Sequence, residues 1–99
     1  MAILALFTGN TSKEQYESLR SEVNWEMEQP KGGIFHAASF DDAGHIHVAD
    51  VWASRADLDA FVQERLVPAF QKLGFPPPDT AVYEVQNLNA YEAIEQYII

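Results

Sequence analysis

Two long stretches of this chain repeat apolar residues at helical spacing, and each lies between short strand-like runs. That alternation constrains the fold more than any other feature, because it fixes the number of strands and where the chain crosses between them. The first run, AILALFTG, is apolar enough for a buried central strand. TSKEQ follows, with Thr11 and Glu14, or Ser12 and Gln15, at the spacing of a capping box. Tyr16, Leu19, Val23 and Met27 then recur near helical period, and Pro30 with Gly32-Gly33 ends that helix. Ile34 to Phe40 and Ile46 to Trp52 read as strands. Ser54 with Asp57 predicts a second capping box, followed by an apolar stripe of Leu58, Phe61, Val62, Leu66, Ala69, Phe70 and Leu73. Pro68 falls inside this stripe, so a kink or restart is expected near Val67. Gly74 stops the helix, Pro76-Pro77-Pro78 makes a stiff connector, and Ala81 to Asn87 predicts a fourth strand.

The order is therefore βαββαβ with a tail, the pattern of a ferredoxin-like α+β sandwich with an antiparallel sheet. Residues 1–88 are expected to form this domain and residues 89–99 a short C-terminal helix or tail using Tyr91, Ile94 and Ile98. Helices then cover one face of the sheet only. Both parities of the strands are nonetheless apolar: Ile46, Val48 and Trp52 on one side of the third strand, Ala49 and Val51 on the other. A second copy packed sheet to sheet is the simplest cover, and the tail ending Tyr97-Ile98-Ile99 could also dock on it, so a homodimer is expected.

Composition narrows the partners. The chain carries 47% hydrophobic residues, no cysteine and a formal net charge of −9. Phosphate backbones and anionic membranes repel such a surface, so neither nucleic acid nor membrane is an expected partner. The apolar N-terminus lacks a basic flank and is too short for a signal peptide or a membrane span, which predicts a cytoplasmic protein. Without cysteine there is no disulfide, thiolate metal site or cysteine nucleophile, and neither G-x-S-x-G nor a phosphate-binding glycine loop occurs.

The hairpin DDAGHIHVADVWAS concentrates the groups that could do chemistry. A three-residue loop of Asp42-Ala43-Gly44 sets Asp41 opposite His45, His36 opposite Asp50, and Ile34 opposite Trp52. Opposed residues share a face of the sheet, whereas a loop of two or four residues would separate them. In the first register Asp50 orients the His36 ring, whose free nitrogen faces the space below the helices as a general base. Trp52 and Phe61 then form an apolar wall, with Tyr83 or Tyr16 supplying a phenol hydroxyl, in a cavity suited to a small aromatic ligand. The same pair could instead merely satisfy two polar groups in a core. His45 and His47 lack a third ligand at diagnostic spacing, so no metal is expected.

The segment HVADVWASRADLDAFVQERLVPAF resembles the dimeric α+β barrel superfamily, which includes antibiotic-biosynthesis-type and haem-degrading monooxygenases. The likeness in element order spans most of the chain. It is most specific at Val51-Trp52, Ser54, Leu58 and Phe61, and in the late run Tyr83-Glu84-Val85-Gln86-Asn87, similar to short uncharacterised bacterial members. Haem-degrading relatives use an Asn, a Trp and an axial His. Trp52 falls at their Trp, but Phe61 stands where the His would be and cannot bind iron, and the first strand offers no Asn before Asn10. The resemblance thus implies a cofactor-independent monooxygenase type with no cofactor, and the hairpin register offers His36 and Asp50 as its catalytic pair. The alternative it leaves is a non-enzymatic ligand-binding or stress-associated dimer.

Overall fold

β1 (Ile3–Gly9), β2 (Gly33–Phe40), β3 (Ile46–Trp52) and β4 (Asp79–Glu84) form one antiparallel sheet in the order β2-β3-β1-β4. They belong to a computed structural model describing residues 1–99. The order is that of a ferredoxin-like domain, reached because each helical segment carries the chain past one strand position before the next strand pairs. α1 (Lys13–Val23), α2 (Arg55–Phe61) and α3 (Val67–Leu73) pack on one face. Ile3, Ala5 and Phe7 of β1 meet Leu19 and Val23 of α1, Trp52 of β3, Leu58 and Phe61 of α2 and Ala69 of α3 in a single core. No helix is long and apolar enough to cross a membrane.

α1 begins with a complete capping box: Ser12 Oγ accepts the Gln15 amide and the Gln15 side chain accepts the Ser12 amide. Of the two spacings open in the sequence, this is the one used. The helix stops earlier than expected. Asn24 takes a left-handed conformation at φ 60° and its N–H donates to the Arg20 carbonyl. Asparagine tolerates that region better than other side-chain-bearing residues. Met27 is consequently outside the helix and exposed rather than on its apolar face.

At the second helix Ser54 caps through its hydroxyl, which accepts the Asp57 amide. The disturbance expected at Pro68 is a π-helical turn, Val62–Leu66, in which the Val67 amide reaches back to the Val62 carbonyl. Pro68 has no N–H to give the Glu64 carbonyl, and the widened turn shifts the ladder just ahead of that gap. The extra residue also changes which side chains share a face. Phe61, Leu66 and Phe70 converge on one side and line the cavity, while Arg65 still lies over the Phe61 ring.

The β2–β3 hairpin closes as the three-residue loop requires. The Asp41 amide donates to the His45 carbonyl at 3.0 Å, the Gly44 amide to the Asp41 carbonyl at 2.9 Å, and Gly44 sits at φ 83°. His36 pairs with Asp50. The expected pairing of Ile34 with Trp52 does not form. A bulge between Gly33 and Phe35 places Gly33 opposite Trp52, leaving Ile34 unopposed and exposed. β4 runs from Asp79 to Glu84 rather than from Ala81 to Asn87, because it pairs with β1 only as far as Ile3, with one further bond from the Val85 amide to the Ala2 carbonyl. The tail forms one 3₁₀ segment, Glu92–Tyr97, with Tyr91, Tyr97 and Ile98 exposed.

Candidate functional site

A cavity of about 300 Å³ lies between the sheet and the helices, lined mostly by apolar side chains. Its floor is the inner face of β1, β2 and β3, where strand alternation presents Phe7, His36, Val48, Asp50 and Trp52. One wall is α1, through Tyr16 and Leu19, and the opposite wall is Phe61, Leu66 and Phe70 around the π-turn. A volume of this size is at the small end for ligand sites and matches one or two aromatic rings.

Four of the cavity's polar groups, on Trp52, Asp50, His36 and Tyr16, form one connected chain. Asp50 is buried, and its carboxylate is answered on both oxygens: His36 Nδ1 lies 2.6 Å from Oδ1, and Trp52 Nε1 donates to Oδ2 at 3.3 Å. Residues 50 and 52 reach the same carboxylate because positions two apart on a strand share a face. Leaving such an acid unpaired would be costly, and no buried polar side-chain atom in the protein lacks a partner. The chain continues outward, with the Tyr16 hydroxyl 2.7 Å from His36 Nε2. A carboxylate only accepts, so in the neutral ring Nδ1 carries the hydrogen and Nε2 accepts from the Tyr16 O–H. Tyr16 and His36 rings are nearly parallel, at 7°, with centroids 6.2 Å apart. Burial is the main influence on the phenol and pushes its pKa up to about 12; Glu26, Glu17 and Asp50 add to the rise and Arg20 opposes it.

His36, Asp50, Trp52, Phe61 and Tyr16 thus come together around one space. Tyr83 does not. It lies opposite Leu4 in the β1–β4 ladder, on the face turned away from the helices, and is 57% exposed. Its strand parity excludes it from the cavity, and the phenol beside His36 is Tyr16 alone.

Trp25 is a member of the site that the helical period concealed. Its ring lies 5.2 Å from His36 and 5.8 Å from Tyr16, centroid to centroid. It reaches there because Asn24 ends α1 and turns the chain back beneath the helix. An Asn followed by a large apolar residue at a helix end is the available sequence signal. Arg65 secures this corner: its guanidinium donates to the Val23 carbonyl at 2.9 Å and lies over the Phe61 ring.

His45 and His47 lie outside the cavity, at the hairpin. His47 Nε2 is 2.8 Å from Asp41 Oδ2, while Asp41 Oδ1 accepts the amides of Ala43 and His45. The His47 bond, then the backbone bonds, hold the Asp41 carboxyl below its usual range.

A ferredoxin-like sheet carrying a His–Asp pair beneath its helices, with Asp50 buried and His36 open to the cavity, defines an α+β domain with a largely apolar cleft between sheet and helices. No family model matches the chain, and no curated protein matches it in sequence. Solved structures do share its fold. Rv0793 from Mycobacterium tuberculosis aligns with a TM-score of 0.70 at 10% identity, over 91% of this chain and 100% of that one. SnoaB, a cofactor-independent oxygenase from Streptomyces nogalater, aligns with a TM-score of 0.61 at 13% identity, over 88% of this chain and 93% of its own. An antibiotic-biosynthesis-monooxygenase-like protein from Deinococcus radiodurans gives 0.61 at 16% identity, over 90% and 97%. The chain has the fold of the antibiotic-biosynthesis-monooxygenase-like proteins.

Proposed function

We propose that the cavity binds a small, electron-rich aromatic alcohol and that the Tyr16–His36–Asp50 chain takes its hydroxyl proton, in a cofactor-independent monooxygenation. The observation that carries this reading is the unbroken line of hydrogen bonds from Tyr16 through His36 to Asp50 in a mostly apolar space. Neutral His36 is the base, receiving the proton at Nε2 either directly or through the Tyr16 hydroxyl. Asp50 orients the ring and balances the imidazolium that forms. Trp25, Trp52, Phe61 and Phe70 hold the substrate ring flat.

Deprotonation makes the aromatic ring electron-rich enough to react with dissolved dioxygen, the second substrate. For a phenol oxidised to a quinone, the balance is phenol plus dioxygen to quinone plus water. One oxygen atom becomes the new ring carbonyl as a ring C–H bond is lost; the other leaves as water with the two hydrogens removed. The likeness in fold to SnoaB supports this reaction class by analogy only, since fold does not dictate chemistry. We further propose that the protein is a homodimer joined through the sheet face that the helices leave bare.

Oxygen consumption with a panel of dihydroxynaphthalenes tests the reaction. His36→Ala is expected to lower turnover about 10²–10⁴-fold, the usual contribution of a general base. Its circular dichroism and its quenching of tryptophan fluorescence by the bound ring should stay intact. Equal turnover in His36→Ala would remove the imidazole from the reaction. If the unaltered protein consumes no oxygen with any of the panel yet binds them, the cavity is a binding site and the non-enzymatic reading replaces this one.

A further inference from the structure

The charges of the cavity are one-sided. Its walls hold one carboxylate, Asp50, and one imidazole, His36, but no lysine and no arginine. The guanidiniums nearest in sequence to the wall residues are committed elsewhere. Arg65 donates to the Val23 carbonyl and lies over the Phe61 ring. Arg20 is engaged by Glu17, by Glu26 and by the Ile99 carbonyl. The chain as a whole carries a net charge of −9, so an approaching anion meets repulsion before it arrives.

We infer that this cavity selects by charge: it takes a flat aromatic ring that is uncharged when it enters, and it rejects a ring of the same shape bearing a carboxylate, sulfonate or phosphate. The inference deepens the proposed function and rests on the same site. A permanent anion inside would lose part of its water, face Asp50 and find no lysine or arginine to offset either cost. An aromatic alcohol differs because its charge is created in place. Its O–H bond breaks, the proton moves to His36 Nε2, and the phenolate forms beside the imidazolium made by that same proton. The net charge of the cavity is unchanged by the transfer, and Asp50 already sits 2.6 Å from the far side of the imidazole to steady it. The hydroxyl is thus ionised in place, without importing a counter-ion.

Two probes of matched size separate charge from shape. 2-Naphthol and 2-naphthoate, titrated at neutral pH against the unaltered protein, are read by quenching of tryptophan fluorescence and by calorimetry. Naphthol is expected to bind, with naphthoate weaker on the order of a hundredfold, as one uncompensated charge in a partly dry site implies. Asp50→Asn should bring the two affinities together by raising that of naphthoate. Leu66→Arg, which places a cation in the wall, should reverse the preference. Should either variant fail to fold, the comparison in the unaltered protein stands alone. Equal affinity for both probes would overturn the charge rule while leaving the oxygenation test untouched. Selective binding of naphthol without any oxygen uptake would uphold the rule and sink the reaction. Binding of neither probe would overturn the inference along with the ligand site.

Discussion

Asp50 holds two parts of the site together, because its oxygens fix both the His36 ring and the Trp52 indole. Asp50→Ala should therefore lower stability by about 1–3 kcal/mol for each partner stranded without water, measured by urea unfolding. Asp50→Asn keeps the volume but cannot balance an imidazolium, so turnover should fall while the fold persists. Tyr16 gives a separate test. Tyr16→Phe keeps the ring and removes the O–H that caps Nε2. If the substrate proton passes through the phenol, turnover falls; if the substrate meets the imidazole directly, turnover holds or rises. The raised pKa of Tyr16, about 12, has a signed consequence. Its burial favours the protonated form in the folded state only. That contribution to stability is whole below the ordinary tyrosine value of about 10 and is lost as pH rises toward the folded value. Alkaline difference spectra should show one late-titrating tyrosine that is missing in Tyr16→Phe; its persistence there would contradict the assignment.

At the scale of elements, the sequence revealed what local turns control and hid what they do not. The loop Asp42-Ala43-Gly44 fixes the β2–β3 register within a few residues, so the meeting of His36 and Asp50 was legible. Tyr83 was not, because β4 joins β1 across a proline-rich connector that sets no parity. The bulge at Gly33–Phe35 and the early stop at Asn24 were likewise hidden: both arise from backbone conformations that apolar periodicity does not encode. Two glycines at positive φ make these constraints measurable. Gly44 has open space where a Cβ would go, so Gly44→Ala bears only the left-handed penalty of about 1–2 kcal/mol. A Cβ on Gly32 would run into the side chain of Asp57 in the first turn of α2. Gly32→Ala should consequently cost more than Gly44→Ala in thermal or urea unfolding, and equal losses would argue against this packing of the turn before β2 on α2. The Asp41 clip adds a pH test. Its carboxyl is held below the usual range, so its contribution is present above the unfolded-state value of about 4 and is lost as pH falls through the folded one. Asp41→Asn should lower the melting temperature at neutral pH, and the gap from the unaltered protein should close on acidification.

For the whole molecule, the decisive feature is the face of the sheet that no helix covers. Strand register sets Tyr83, Leu4, Val51 and Phe35 in one row across it and Ala81, Leu6, Ala49 and Ala37 in the next. The following row, Asp79, Thr8, His47 and Ser39, is polar, so the apolar area is bounded at one end. Phe35 is 40% exposed and Tyr83 57%, a patch unlike the solvated side of a monomeric sheet. A two-fold partner laid across these rows would bury like against like, and a stable contact needs roughly 1,000 Å² or more in total. Light scattering at micromolar concentration should accordingly report twice the chain mass. Leu6→Arg sets a charge at the centre of the patch, where burial without a partner costs about 2–5 kcal/mol, and should give the single chain. Because Leu6 points away from the cavity, the same variant should still bind 2-naphthol. A monomeric unaltered protein would defeat the dimer, and loss of the ligand along with the dimer would mean that the two faces of this sheet are not independent.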